Sequence, residues 1–147
     1  MSSLNKFNVF VKALAEQNHD LGSDVLKVYL TNSPPSATVH HTYNGTAGST
    51  APAEISAGSG YVAGGQTLSQ ISSSQSAGVY RLILADPPVL TASGGNIGPF
   101  RYFVLWNSTA ASNNLIGFWD YGTSITLNNG QGFLVDLNQT NGVLTLT

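Results

Sequence analysis

FRYFVLW, residues 100–106, is the segment from which the fold of this chain is most readily predicted. Alternate side chains of an extended strand point to opposite faces of a sheet. One face would carry Phe100, Tyr102, Val104 and Trp106, and the other would carry Arg101, Phe103 and Leu105. Since both faces are mainly apolar, the pattern is typical of a central strand buried on two sides, or of a strand whose second face meets another chain.

Further strands are predicted on both sides of this segment. The first begins at Asp24, where Leu26, Val28 and Leu30 share one face. The remaining predicted strands are 66–71, 79–85, 89–92, 115–120, 124–127, 132–137 and 143–147. Turns are expected at 72–78 and 93–96, and a hairpin turn at 128–130. About eight strands with one helix predict a mainly β domain, an antiparallel β-sandwich or jelly roll, with an up-and-down barrel left open.

The N-terminal segment has a different period and predicts one α-helix over about 5–20. The apolar stripe of this helix consists of Phe7, Phe10, Val11 and Leu14. Ser3 or Asn5 would cap its start, and Gly22 would end it. The helix would cover one face or one open end of a sheet, or else act as an arm that packs on a neighbouring subunit.

A long loop is predicted over about 33–60, because Pro34, Pro35 and Pro52 interrupt any regular element. A short hairpin would turn at Asn44 and Gly45. Connections of this length are uncommon in small domains and are usually functional or flexible, so the loop is a candidate contact surface. The chain as a whole is expected to form a single domain, 1–147, with a β-rich body over about 24–147.

Composition narrows the classes of function. Charged residues make up 8% of the 147 residues and the net charge is -2, while Ser, Thr, Asn and Gly number 59. The five basic residues form no run, which argues against nucleic acid as a partner. No apolar run approaches the roughly 20 residues that cross a bilayer, so no membrane association is expected. The chain has no cysteine, which excludes disulfides and thiolate chemistry.

No catalytic constellation or cofactor site is predicted, and we expect no enzyme activity and no metal. The glycine-rich GSGYVAGG at 58–65 lacks the strand and helix context of a nucleotide-binding loop and predicts a turn with positive φ angles. His40 and His41 are adjacent and predict a surface pair, not ligands of one ion. Arg101 and Asp120 lie within aromatic stretches, and they either pair across neighbouring strands or point separately to solvent.

Four segments carry a resemblance to known proteins: LGSDVLKVYLTN at 21–32, EISAGSGYVAGG at 54–65, GPFRYFVLWN at 98–107 and LIGFWDYG at 115–122. In this order they resemble a group of small virion proteins of tailed bacteriophages, over nearly the whole chain. The resemblance implies a structural protein of the virus particle, most like a capsid decoration, or cement, protein. Such proteins are β-rich and bind the outside of the capsid shell in many copies.

The resemblance therefore implies non-covalent binding to the major capsid protein and a place on the capsid exterior after synthesis in the host cytoplasm. Self-association into a homo-oligomer is also expected, because it would raise the effective affinity of weak contacts. Candidate interface residues are Phe7, Phe10, Phe103 and Leu105, together with the 33–60 loop. One alternative is a tail component, such as a tube, terminator or fibre protein. Another is a carbohydrate-binding β-sandwich in which Trp106, Trp119 or Tyr121 stacks on sugar rings.

Overall fold

A computed structural model describes residues 2–43 and 50–147 and shows a mainly β, sandwich-like fold with one short helix. The elements in chain order are β1 (Asn5–Lys6), α1 (Asn8–Ala15), β2 (Leu26–Thr31), β3 (Gln66–Thr67), β4 (Gln70–Ser76), β5 (Val79–Leu84), β6 (Leu90–Thr91), β7 (Ile97–Asn107), β8 (Leu115–Leu127), β9 (Gly132–Phe133) and β10 (Leu144–Leu146). The predicted mainly β, antiparallel fold class is confirmed, whereas a jelly-roll topology is not.

The strands of the described residues form three antiparallel sheets. The largest has five strands in the order β1-β8-β7-β2-β3, the second has the order β10-β5-β4, and β6 pairs with β9 in a two-stranded ribbon. The long strand β7 lies between β2 and β8, and its register places Val104 between Tyr29 on one side and Phe118 on the other. This central position explains why both faces of β7 are apolar.

The main core lies on one face of the five-stranded sheet, where the other strands and the helix pack against it. It includes Phe10 of α1, Leu26 and Leu30 of β2, and Phe103 of β7. Leu82 of β5 closes it from the opposite sheet and is fully buried. Burial of these side chains between two sheets is the arrangement that defines a sandwich.

A second apolar cluster lies on the other face of the same sheet. Its buried members are Phe7, Tyr29, Val104, Trp106 and Leu115, and Val9, Tyr43 and Phe118 pack against them. No strand covers this face among the residues described. The start of α1 and the chain around residue 43 of the long loop cover it instead, so the five-stranded sheet is buried on both faces by its own chain.

The helix is shorter than predicted and begins differently. Asn5 and Lys6 form β1 and pair with β8, and the Phe7 N–H continues this pairing by donating to the Ile116 carbonyl at 3.0 Å. The helix therefore begins at Asn8 without a side-chain cap, and the predicted caps are wrong. It ends at Ala15, followed by Gln17 at a φ of 63°, well before Gly22.

The apolar stripe of the helix also differs at one position. Phe7 and Phe10 are buried, but Val11 is exposed, and Ala13 takes the third buried position. Leu14 is only partly buried against the main core. The difference follows from the late start of the helix, because the backbone at Phe7 is extended, with φ of -75° and ψ of 146°.

The serine-rich segment 72–78 is not the predicted turn. Strand β4 continues through the serines to Ser76, which pairs with Val79 of β5, and the turn consists of Ala77 and Gly78 alone. Both turn residues have positive φ angles, 51° and 81°, as two-residue hairpin turns require. Pairing with the apolar strand β5 thus overrides the low strand preference of the serines.

The C-terminal strands differ from the prediction in length and pairing. Residues 115–127 form one strand, β8, instead of two, and β9 ends at Phe133 instead of 137. The tight turn at 128–130 joins β8 to β9, but β9 pairs with β6, so the turn does not close a hairpin. The 33–60 segment is a loop where it is described, and the predicted turn at residues 44 and 45 lies outside the described residues.

Candidate contact surface

The four predicted interface residues lie in the interior of the chain. Phe7, Phe103 and Leu105 are 0% exposed and Phe10 is 1% exposed. Phe7 belongs to the second cluster, whereas the other three belong to the main core. The structure therefore corrects this prediction: these side chains form no contact surface of the folded chain, because the second sheet, the helix and the long loop already cover them.

The long loop covers the second cluster of the five-stranded sheet, which the sequence pattern did not predict. The Tyr43 ring stacks on Trp106 with 4.1 Å between the ring centroids and 26° between the ring planes. Tyr43 also lies 5.3 Å from Tyr29, centroid to centroid. An aromatic residue within an otherwise small and polar loop was the available signal, since large apolar rings usually pack against something.

A carboxylate fastens this loop to the sheet. Glu54 Oε1 accepts hydrogen bonds from the Tyr61 hydroxyl and the Gly64 N–H, both at 2.7 Å, and Oε2 accepts one from the Tyr43 hydroxyl at 2.8 Å. The Tyr61 oxygen in turn accepts from the N–H of Leu30 in β2 at 3.0 Å. We call Glu54, Tyr43, Tyr61 and Gly64 the Glu54 network.

The tyrosines of this network stay protonated. Burial raises the pKa of the Tyr61 hydroxyl well above its ordinary value, and the hydrogen bond to Glu54 raises it further. Burial and Glu54 raise the pKa of Tyr43 in the same direction. Both hydroxyls are therefore donors throughout the neutral range, and both oxygens of Glu54 already accept hydrogen bonds. The network holds the loop in place and is not arranged for proton transfer to a substrate.

The glycine-rich segment 58–65 forms the predicted turn. Gly58, Gly60, Gly64 and Gly65 all have positive φ angles. At Gly65 a Cβ atom would lie 1.9 Å from the carbonyl oxygen of Val28, so only glycine allows the loop to lie this close to β2. This close approach positions the Gly64 carbonyl to accept a hydrogen bond from Trp106 Nε1 at 3.0 Å.

Arg101 and Asp120 form the cross-strand ion pair that was one of the two predicted alternatives. Arg101 Nε lies 2.7 Å from Asp120 Oδ1, and Nη2 lies 2.9 Å from Oδ2. The hydrogen bond from Arg101 lowers the pKa of the Asp120 carboxyl, and the Gly122 N–H adds to this effect. Since both side chains are about one third exposed, the pair lies at the surface and aligns β7 with β8.

The histidine prediction is wrong for one residue of the pair. His41 is exposed, but His40 is buried, and its Nδ1 accepts a hydrogen bond from the Ser36 N–H at 2.9 Å. Within residues 2–43 and 50–147, no group of three or more His, Asp or Glu side chains is placed to hold a metal ion. In the same part of the chain, no helix has the length and apolar character needed to cross a bilayer.

The tryptophans do not offer platforms for sugar rings. Trp106 is 5% exposed and Trp119 is 4% exposed. Of the three aromatic residues considered, Tyr121 alone is substantially exposed, and its ring packs edge-on against Phe133 with 5.5 Å between centroids. The carbohydrate-binding alternative therefore loses two of the three side chains on which it was based.

The surface of the described residues includes two open grooves. One, of about 690 Å³, lies between the N-terminal segment and residues 136–145, and Lys6 and Asp136 are among the polar side chains that line it. The other, of about 660 Å³, lies between the end of α1 and the three-stranded sheet, where Leu14, His19 and Tyr80 contribute to its walls. The second groove also includes Ser73 and Asp20, but no hydrogen bond joins them to His19 as nucleophile, acid and base. The Ser73 hydroxyl bonds to Tyr80, His19 Nδ1 bonds to Asn107, and Asp20 Oδ2 accepts from Ser23.

Exposed apolar side chains mark a more suitable contact surface. In the ribbon, Leu90 pairs with Phe133, so extending this register by one residue places Val89 opposite Leu134. Val89 is 56% exposed and Leu134 is 44% exposed. The neighbouring Gly132 adds no side chain, and Val89 Cγ1 lies close over it. We call Val89, Gly132 and Leu134 the ribbon patch.

Comparisons of the chain with protein-family models, with curated proteins and with solved structures found no match.

Proposed function

We propose that the protein is a structural component of a tailed bacteriophage particle that decorates and stabilises the capsid shell. It is made in the host cytoplasm, binds non-covalently to the major capsid protein on the capsid exterior, and acts as a structural protein without enzyme activity. Many copies on a repeating lattice would strengthen the shell even if each contact is weak, because multivalent attachment raises effective affinity.

The resemblance to phage virion proteins supports the proposal, and its four segments lie together in the fold. Residues 21–32 include β2, while 98–107 and 115–122 lie in β7 and β8, and these are the three central strands of the five-stranded sheet. Residues 54–65 carry Glu54 and Tyr61, which fasten the loop to β2. The four segments thus form one contiguous scaffold, and the contact surface has to be sought elsewhere.

The ribbon patch is the observation that carries the proposal. Two neighbouring aliphatic side chains are exposed on a protein whose charged residues make up only 8% of the chain. Exposed apolar side chains on a surface poor in charge are typical of the centre of a protein interface, where charged groups are depleted. A capsid surface with a complementary apolar patch would bury Val89 and Leu134.

The test is binding of purified protein to capsid shells of the encoding phage from which the protein has been removed. Val89→Ser combined with Leu134→Ser should weaken binding about tenfold or more, the effect of losing roughly 1.4 kcal/mol, while the melting temperature stays unchanged. Val62→Ser is the matched control, because Val62 is 70% exposed but lies in the 61–65 turn. If the wild-type protein does not bind the shells, the proposal is contradicted. If the double variant binds as tightly as the wild type, the ribbon patch is not the contact surface.

A tail component is the second candidate, and the outer edge of β4 favours it. Among the described residues this seven-residue strand pairs with β5 on one side only, and it contains neither a charged residue nor a proline. Such edges are ready templates for pairing with another chain. Pairing of copies through β4 would produce the expected homo-oligomer, and rings or tubes formed by the purified protein in electron micrographs would support the tail placement over decoration.

A further inference from the structure

Three polar side chains fasten the segment after α1 to the end of β7. Asn107 is the last residue of β7, and its Nδ2 donates hydrogen bonds to His19 Nδ1, at 3.0 Å, and to Asp24 Oδ2. The same Asp24 oxygen accepts the Asp20 N–H at 2.7 Å. We call His19, Asp24 and Asn107 the His19 latch.

The hydrogen bonds of Asn107 determine the protonation of His19. Asn107 Oδ1 accepts the N–H groups of Thr109, at 2.9 Å, and Ala110, at 3.0 Å, so the amide NH₂ group must face His19 and Asp24. An amide NH₂ group only donates, and His19 Nδ1 must therefore accept. The ring is neutral and carries its proton on Nε2, a buried atom with no hydrogen-bond partner among the described residues.

The surroundings of the ring favour this neutral form. His19 is 6% exposed, and its ring lies against Phe10 of α1 with 5.4 Å between centroids. The ionisable groups nearby are Asp24, Asp20 in the same turn, and Tyr80 of β5 across the groove. Burial lowers the pKa of His19, and the Asp24 carboxylate opposes this effect only in part. On α1, the ion pair between residues 12 and 16 is exposed to solvent.

We propose that the His19 latch is an acid-sensitive release, in which protonation of His19 frees residues 17–24 from the end of β7, while Val25 keeps its hydrogen bonds to Ser108 and Thr109. A proton on Nδ1 would point at the N–H group of Asn107, so the hydrogen bond between them is lost and two donors face each other. The ring must then turn away, towards Asp24 or solvent. Movement of this segment uncovers Phe10 and Leu21, which are buried in the neutral state.

The direction of the pH effect follows from linkage. The folded chain binds the proton on His19 less readily than the unfolded chain, in which histidine titrates near pH 6.5, because burial lowers the pKa of the folded-state ring. The stabilisation by the latch is therefore complete above that pH, declines as the pH falls below it, and is lost once the pH is below the lowered pKa of the folded-state ring. Because the latch joins only one segment to the sheet, we expect this segment to open at a higher pH than the one at which the whole domain loses stability.

Amide hydrogen exchange, corrected for intrinsic rates, tests the proposal on the full chain at about pH 7.5 and about pH 5.5, on either side of the ordinary histidine pKa. In the wild type, protection of residues 19–24 should fall severalfold more than protection of β7. In His19→Asn, the side-chain oxygen can still accept from Asn107 but does not titrate, so the extra acid response should disappear. His40→Asn is the control for the other buried histidine and should retain the response.

Two results would overturn the proposal: equal protection of residues 19–24 at both pH values in the wild type, or a full acid response in His19→Asn. If His19→Asn does not fold, NMR titration of the wild-type histidines tests the proposal instead, through the protonation state and titration midpoint of His19. The latch requires the Nε2-protonated neutral ring at the higher pH and a His19 midpoint below about 6.5, the ordinary histidine value, and a midpoint above it would contradict the proposal.

Discussion

The two faces of the five-stranded sheet are buried in different ways. On one face, side chains of β7 such as Phe103 pack against regular strands, and on the other face Trp106 packs against an irregular loop. The periodicity of the strands accounts for the main core. The second cluster depends on hydrogen bonds that fasten the loop, above all those of the Glu54 network, because a loop without a ladder must satisfy its polar groups individually.

The largest effect is expected in the main core. Phe103 is fully buried among Phe100 and Phe133, so Phe103→Ala removes a ring and leaves a cavity. The free energy of unfolding should fall by about 3–5 kcal/mol, the range for buried Phe to Ala changes. Urea denaturation measures it, and a loss below about 1 kcal/mol would show that Phe103 is not part of the core.

Glu54→Ala should have the next largest effect and should act chiefly where the long loop covers the second cluster, although Tyr61 itself packs in the main core. The change leaves the Tyr61 and Tyr43 hydroxyls and the Gly64 N–H without their acceptor. We expect the free energy of unfolding to fall by about 1–3 kcal/mol, the penalty for unsatisfied buried polar groups.

Hydrogen exchange locates the effect of Glu54→Ala. Protection should fall in residues 50–65, with β5 keeping its protection, and Glu16→Ala is the control because Glu16 is an exposed acid close to the end of α1. A uniform loss of protection across both clusters would show that the two faces of the sheet are not stabilised separately.

The Arg101–Asp120 pair should have the smallest effect, because exposed ion pairs contribute little. Its contribution is present when Asp120 is ionised. Since Arg101 lowers the pKa of Asp120, this contribution is lost as the pH falls below the ordinary value near 4. Thermal melts of the wild type and Asp120→Asn should therefore differ slightly at about pH 7 and converge towards pH of about 3. An undiminished difference at the acidic pH would argue against the assigned ion pair.

Strand periodicity predicted much of the fold. The apolar pattern of 100–106 identified the central strand, and the glycines of 58–65 identified the turn. The charges within aromatic stretches suggested the Arg101–Asp120 pair. These features are local, or depend on one cross-strand neighbour, and such signals survive in the sequence.

Features that depend on distant partners were not predictable in this way. Phe7 and Phe10 have helical spacing, but the edge of β8 draws residues 5–7 into extended pairing. One face of β7 was predicted to carry Phe100 with Val104, yet a register shift next to Phe100 turns its ring into the main core. An apolar residue also has the same pattern whether its own chain or a partner covers it, and this ambiguity made Phe103 and Leu105 interface candidates.

Whether the protein decorates the capsid is decided by its copy number in purified particles of the encoding phage. Quantitative mass spectrometry against the major capsid protein gives this number. We predict a ratio near one, or a simple fraction such as one half or one third, as a repeating lattice requires. A handful of copies per particle would place the protein in the tail or portal region, and its absence from the particle would rule out a virion protein altogether.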